Sequence, residues 1–145
     1  MSLLSILNLS LGFFWLLLSS CAGLFLATDT ASAFLVDPDI LKGWQNILKV
    51  SAHGHTALFG QIQILFALSL PHAHASQRLQ KLQTVGISAG VFAMSVLMVL
   101  RSVNGPASSF DVLGLCIGGC LTAFMLSLGS HWALLTYRVS KKCAL

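Results

Sequence analysis

Residues 82–100 read LQTVGISAGVFAMSVLMVL, and this stretch contains no charged side chain. A helix of about 20 apolar residues crosses the roughly 30 Å hydrocarbon core of a bilayer. Three further uncharged runs have this length, and they cover residues 3–27, 50–70 and 112–137. Backbone groups in lipid must hydrogen-bond within their own segment, and no run alternates as a strand would. The four runs predict an all-α integral membrane protein, a single domain built as a four-transmembrane-helix bundle.

The composition supports the same class. Charged residues make up 8% of the chain, hydrophobic residues make up 56%, and the mean hydropathy is +0.85. A soluble domain carries about 25% charged residues, so this chain has too few charged residues to cover a water-facing surface. The basic residues behind the net charge of +4 lie mainly in two clusters outside the apolar runs, Arg78/Lys81 and Arg138/Lys141/Lys142. This distribution therefore predicts contact with a lipid bilayer rather than with nucleic acid.

The loop charges predict an orientation. The segment 71–81 carries two bases and no acid, and the C-terminal tail carries three bases. The segment 27–49 instead carries three aspartates against two lysines. The positive-inside rule then places both termini inside, as in a multi-pass protein of a bacterial inner membrane. Within the predicted outer loop 28–49, residues 40–50 are expected to form a short interfacial helix or an outward extension of the second span.

Two local patterns leave alternatives open. Leu18-Ser19-Ser20-Cys21 fits a lipoprotein cleavage site, but no base precedes it, so a retained first helix is favoured over a cleaved, lipidated Cys21. Gly86-x3-Gly90 and Gly114-x3-Gly118 allow close helix contact, either within the bundle or between protomers. A polar stripe at helical spacing on the third run is predicted to face the bundle interior; it contains Thr84, Ser88, Val91, Ser95, Met98 and Ser102.

His53 is the main candidate for chemistry. An ionisable residue inside a membrane span is a functional candidate, and imidazole is a common axial ligand of haem iron. Below His53, its helix face carries Thr56, Ala57 and Gly60, which leave room for a flat prosthetic group or for a neighbouring helix. His55 lies on the opposite face. We therefore predict His53 as a metal ligand, with Thr56, Ala57 and Gly60 lining a b-type haem.

Two residues of the third helix are further candidates. Met98 reaches about the depth of His53 and is a candidate second ligand, although methionine is usually core filler. Arg101 stands at the outer end, where it would pair with a haem propionate or simply extend to the interface.

The remaining histidines and cysteines support a weaker alternative, a site for a metal ion such as zinc or copper. The candidate ligand sets are His53 and His55 with Cys116 and Cys120, and His72 and His74 with His131.

The surroundings of His53 carry a family resemblance. Gly43-Trp44, Ala52-His53, Ala57-Leu58 with Gly60, and Leu70-Pro71 follow one another over residues 43–71. This order resembles styrene-oxide isomerase, over about residues 43–137 and most strongly over 51–71. The His-x-His-x3-Phe-Gly pattern is also similar to short four-helix membrane proteins akin to cytochrome-oxidase subunit I.

The resemblance implies a function. Styrene-oxide isomerase is a trimer with haem b between its protomers, and its ferric iron acts as a Lewis acid that rearranges an epoxide to a carbonyl compound. Its axial histidine falls on His53, so a homo-oligomeric isomerase is implied. The family's asparagine is replaced by Phe59, and its helix-three tyrosine has no equivalent near Met98. The alternative is a small non-catalytic or electron-transfer subunit of a larger membrane complex.

Overall fold

The computed structural model describes residues 2–105 and 111–143, and every long element in these ranges is a helix. Helix α1 spans Leu3–Val36, α2 spans Trp44–Ala73, α3 spans Gln77–Asn104 and α4 spans Val112–Cys143. Helix α3 changes to a π-helix over Ala93–Leu97 and then returns to α-helix. The predicted all-helical fold is therefore confirmed.

Short caps and turns set the helix ends. The Ser2 and Ser76 hydroxyls accept the Ser5 and Leu79 backbone N–H groups and so cap α1 and α3. A 3₁₀-helix over Pro38–Lys42 joins α1 to α2. Helix α2 ends at His74, which has the positive φ of a left-handed C-cap. This cap lets the chain reverse into α3 within three residues.

The predicted outer loop 28–49 is wrong over most of its length. Helix α1 continues to Val36, nine residues past Ala27, and α2 already begins at Trp44. No proline or glycine interrupts residues 24–36, so the helix has no reason to stop where the apolar run ends. At 34 residues α1 is about 51 Å long, more than a bilayer core requires. The second alternative for residues 40–50, an extension of α2, is the one observed from Trp44 onward.

Three of the four helices are long and apolar enough to cross a membrane: α1, α3 and α4. Helix α2 has the length but falls short in hydropathy, because it carries two histidines and two glutamines between residues 53 and 63. Gln63 is fully buried against the other helices, whereas Gln61 is exposed. Part of the polar surface of α2 is therefore turned into the bundle and does not reduce its contact with the other helices.

The bundle is held by close backbone contacts and by a small aromatic core. Helix α1 packs mainly on α2, and α3 packs mainly on α4. A Cβ at Gly86 would lie 2.0 Å from Ser127 Oγ and 2.7 Å from the Ala123 carbonyl oxygen. Gly86-x3-Gly90 therefore serves packing within the bundle. The buried core beside this contact consists of Phe66, Leu70, Ile87 and Phe124.

Buried amides join α1, α2 and α3 in one half of the bundle. The Asn8 side-chain amide donates to Thr84 Oγ1 at 3.0 Å, and the Gln63 amide donates to Ser88 Oγ at 3.1 Å and to Asn8 Oδ1 at 3.3 Å. Asn8 and Gln63 have no exposed surface. We call the half of the bundle toward the α2–α3 connection, which contains these four residues, the amide half. The predicted polar stripe of α3 faces the interior here, as expected.

Candidate functional site

A cavity lies in the other half of the bundle, between α1, α2 and the π-helical segment of α3. Its volume is about 340 Å³, within the range of small-molecule sites, and it is partly open. The walls are mostly apolar, and the polar groups come from each of the three helices. We call this region the cavity half; its polar lining residues are Ser19, Asp29, Lys49, His53, Thr56 and Ser95.

His53 is held in this wall by α1. Ser19 Oγ lies 3.1 Å from His53 Nδ1 and 2.9 Å from the His53 carbonyl oxygen. The carbonyl oxygen only accepts, so the single hydroxyl proton of Ser19 satisfies that contact. Both contacts are then satisfied when Nδ1 carries the imidazole proton and donates it to Ser19. This tautomer leaves the lone pair of Nε2 free.

Gly23 of α1 makes room for the imidazole ring. A Cβ at Gly23 would lie 2.5 Å from His53 Cε1 and 2.9 Å from Nε2. Any other residue at this position would therefore push the ring out of its place. Ser19 and Gly23 are one helical turn apart, so one face of α1 both hydrogen-bonds and covers the histidine.

The π-helical segment shapes the opposite wall. A π-bulge inserts an extra residue into a helical turn, and such bulges are frequent at functional sites. Ser95 lies inside the segment Ala93–Leu97 and lines the cavity, where only 7% of its surface is exposed. Its hydroxyl donates to the Val91 carbonyl at 2.5 Å, and the Thr56 hydroxyl donates to the Ala52 carbonyl at 2.6 Å. Both hydroxyls therefore present oxygen lone pairs, not protons, to the cavity.

Of the residues predicted to line a haem, only His53 and Thr56 line this cavity. The prediction for Gly60 is wrong, because Gly60 meets α1: a Cβ there would lie 3.2 Å from the Gly12 carbonyl oxygen. At that position the small residues of α2 contact the neighbouring helix α1, which was the alternative that the sequence analysis gave to a flat prosthetic group. Ala57 and Met98 are partly buried and lie outside the lining.

Arg101 has a different partner from the predicted propionate. It forms an ion pair with Asp111, across the connection between α3 and α4. Asp111 Oδ1 also accepts the Gly114 backbone N–H at 2.8 Å, as an N-cap does at the start of α4. The Gly114 hydrogen bond and then the Arg101 guanidinium lower the pKa of the Asp111 carboxyl below its ordinary value. The pair therefore fixes a helix connection rather than the cavity.

The alternative metal sites are not brought together in residues 2–105 and 111–143. These ranges hold no group of three or more histidine, cysteine or acidic side chains placed to bind a metal. The His55 ring is hydrogen-bonded within its own helix, with Nδ1 2.7 Å from the Ser51 carbonyl oxygen. His131 is buried between Ser69, whose Oγ is 2.8 Å from Nε2, and the edge of the Phe66 ring.

The residues that sequence reasoning missed are Ser19 and Gly23. Ser19 was considered only as part of a cleavage motif, although Gly12, Ser19 and Gly23 follow one face of α1 at spacings of seven and four. That spacing of small residues was a usable signal for the face that meets α2.

The cavity and its setting define a class of protein: a helical bundle with helices long and apolar enough to cross a membrane, and with a positioned imidazole at a mostly apolar cavity. Comparison with protein-family models, with characterised proteins and with solved structures finds no match to this chain. The function is therefore argued from the geometry of the cavity half.

Proposed function

We propose that this chain is a four-helix integral membrane protein that binds a b-type haem, with His53 Nε2 as an axial ligand. The observation that carries the proposal is the pair of contacts from Ser19, which commits Nδ1 of a histidine that lines the cavity. A histidine that ligates a metal commonly donates its other N–H to a neighbouring acceptor, which fixes the tautomer and the ring. Ser19 supplies that acceptor.

The membrane placement rests on the apolar helices and on the charges. Helices α1, α3 and α4 have the length and composition of spans. Helix α2 would be the fourth, since its Gln63 is paired inside the bundle and does not face lipid. The bases at the start of α3 and in the last turns of α4 support an orientation with both termini inside a bacterial inner membrane.

The size of the cavity bears on how a haem would be held. A volume of about 340 Å³ lies at the low end of the range for small-molecule sites, so one chain accommodates the edge of a macrocycle and leaves the rest uncovered. The proposal therefore includes a second copy of the chain that covers the remainder. A homo-oligomer, and specifically a trimer, is what the resemblance to styrene-oxide isomerase implies.

The chain's own residues would position and shield the group. Bound ferric haem supplies a Lewis acid or a one-electron couple. Ser19 orients the imidazole, Gly23 covers its face, and the apolar lining excludes water. Epoxide isomerisation is the activity that the resemblance predicts, and Phe59, in place of the family's asparagine, packs on Phe124 with ring centroids 4.4 Å apart. An assay of styrene oxide with the haem-loaded protein, detecting the aldehyde, tests that activity.

Absorption spectra of variants test the haem ligand. The purified protein is expected to show a Soret band in its oxidised and dithionite-reduced forms, and His53→Ala is expected to abolish it. His55→Ala is the matched control, because its ring hydrogen-bonds to its own helix on the opposite face. A Soret band that is unchanged in His53→Ala refutes the assignment, and a band lost equally in both variants points to a general loss of folding.

The second candidate function is a subunit of a larger membrane complex, and the outer face of α4 favours it. A Cβ added at Gly118, Gly119 or Gly129 would meet nothing within 4 Å. Small residues on a lipid-facing surface allow another helix to approach closely. Extraction in mild detergent separates the candidates: a homo-oligomer supports the haem protein, and co-purification with other subunits supports the complex.

A further inference from the structure

The charges of the chain are separated between the two ends of the bundle. All four acidic residues, Asp29, Asp37, Asp39 and Asp111, lie near the end of α1, in the α1–α2 connection or before α4. The opposite end holds the bases around the α2–α3 connection and the last turns of α4. We call it the basic end; its cationic and titratable residues with described side chains are His72, His74, Arg78, Lys81, Arg138 and Lys141.

The bases at this end have no internal counter-charge. In the described part of the chain, the ion pairs are Lys42–Asp39 and Arg101–Asp111, and both lie at the acidic end. Arg138 is only partly exposed, on the last turns of α4, without a carboxylate partner among those residues. A guanidinium that is partly withdrawn from water is stabilised by an anion brought from outside.

A cavity lies at the basic end, next to Arg138. It measures about 210 Å³ and lies between the end of α2 and the last turns of α4. Arg138, His72 and His74 supply its polar wall, and Leu135 and Val139 supply its apolar wall. His74 is brought there by the left-handed C-cap that ends α2. The cavity thus combines anion-binding groups with aliphatic side chains at the end of two membrane helices.

We propose that this cavity binds the headgroup of an anionic phospholipid. The phosphate contacts the Arg138 guanidinium beside His72 and His74, and the first carbons of the acyl chains pack on Leu135 and Val139. An anionic headgroup suits the site better than a zwitterionic one, because a choline group would need a carboxylate, and residues 2–105 and 111–143 place none at this end. Basic pockets between membrane helices bind anionic headgroups in this way. The inference assumes the proposed membrane placement and is independent of the haem.

Native mass spectrometry of the detergent-purified full chain tests the site. The protein is titrated with dioleoyl phosphatidylglycerol, with dioleoyl phosphatidylcholine and, separately, with inorganic phosphate. One phosphatidylglycerol is expected to bind at least about tenfold more tightly than phosphatidylcholine, the effect of one charge-assisted contact. Equal binding of the two lipids, or equal occupancy by free phosphate at the same concentration, overturns the lipid headgroup.

Variants distinguish a built site from general attraction to a basic surface. Arg138→Gln is expected to lose about tenfold in affinity for phosphatidylglycerol, and Arg138→Lys is expected to recover part of it. Lys141→Gln is the matched control: it removes the same charge one turn away, where Lys141 lies 5.0 Å from the Tyr137 ring and outside the cavity. Its loss should not exceed about fivefold, the effect of one base near an anionic surface. Equal losses in Arg138→Gln and Lys141→Gln overturn the proposal.

Discussion

The cavity half and the amide half each contain a histidine that is hydrogen-bonded to a serine, but the two histidines have different surroundings. His53 is hydrogen-bonded to the Ser19 hydroxyl, and His131 is hydrogen-bonded to the Ser69 hydroxyl. His53 lines a cavity of about 340 Å³, whereas the Nδ1 of His131 is buried without a hydrogen-bond partner in the described part of the chain. An imidazole therefore becomes a candidate ligand through the space beside it, and not through its hydrogen bond to serine.

Helix spacing explains the difference. In the amide half, glycines bring α3 against α4, and the amides of Asn8 and Gln63 bond across the interior. In the cavity half, the π-helical turn of α3 interrupts the regular packing, and the three helices leave a gap. We therefore expect the amide half to contribute mainly to stability and the cavity half to contribute the ligand site. Substitutions in the two halves should separate these properties.

The largest effect is expected from Gly86→Ala. The new Cβ would lie 2.7 Å from the Ala123 backbone oxygen, which cannot move aside as a side chain can. Overpacking of this kind should lower the free energy of unfolding by about 3 kcal/mol, measured by chemical unfolding in detergent. Gly118→Ala meets open space, so it should be neutral or stabilise the helix by up to about 1 kcal/mol. Similar destabilisation by both variants would contradict the packing described for the amide half.

The sequence predicted the helices because apolar runs of span length have few alternatives in structure. The sequence predicted the end of α1 too early, at residue 27, whereas the helix continues to Val36. Polar residues such as Thr28 and Asp29 do not stop a helix where no proline or glycine interrupts it. The polar stripe of α3 was predictable from its period, and Thr84 and Ser95 are buried as expected.

The candidate site was predictable only in part. His53 stood out because an imidazole is rare in an apolar run, but its partners lie 34 and 30 positions earlier, at Ser19 and Gly23. No local pattern links positions so far apart. Gly60 was assigned to the haem because a small residue under a histidine looks the same whether a porphyrin or a helix fills the space.

The second-largest effect is expected from Ser19→Ala, and it concerns the affinity for haem. Loss of the acceptor frees the His53 ring and its tautomer, and the loss of a partner of this type costs about 10- to 100-fold in metal affinity. Haem transfer to an excess of a haem-scavenging protein should therefore speed up by a similar factor. Ser20→Ala is the matched control, because the Ser20 hydroxyl donates to Leu16 on the exposed side of α1. Equal transfer rates for wild type and Ser19→Ala would exclude the positioning role.

A smaller effect on stability is expected from Gln63→Leu. The change leaves Asn8 Oδ1 without the donor that it has 3.3 Å away, at a position with no exposed surface. The free energy of unfolding should fall by about 1 to 2 kcal/mol, while the Soret position should stay unchanged because the cavity is in the other half. Gln61→Leu, two residues away on the exposed face, should not destabilise the protein. A spectral shift in Gln63→Leu would show that the two halves are coupled.

The smallest effect is expected at the Arg101–Asp111 pair. The Gly114 N–H and the Arg101 guanidinium hold the pKa of Asp111 below the ordinary value of 3.8. As the pH falls, the carboxyl of Asp111 is therefore protonated in the unfolded chain before it is protonated in the folded one. The contribution of Asp111 to the free energy of unfolding is complete above pH 3.8, and it is lost as the pH falls through the lower pKa of the folded state. Asn caps a helix as well as Asp does, so Asp111→Asn removes the charge and keeps the hydrogen bond to Gly114.

The melting temperature of Asp111→Asn should therefore lie slightly below that of the wild type at pH 7, and the difference should shrink as the pH falls below 3.8. Added salt should also reduce it, since the pair is partly exposed and screened. Asp39→Asn is the control, because the Lys42–Asp39 pair is exposed on the α1–α2 connection and distant from α4. Equal melting temperatures of Asp111→Asn and the wild type at pH 7 would mean that Asp111 acts only through its hydrogen bond to Gly114. In either case the Soret band should be unchanged, because Arg101 serves the connection between α3 and α4 and not the cavity.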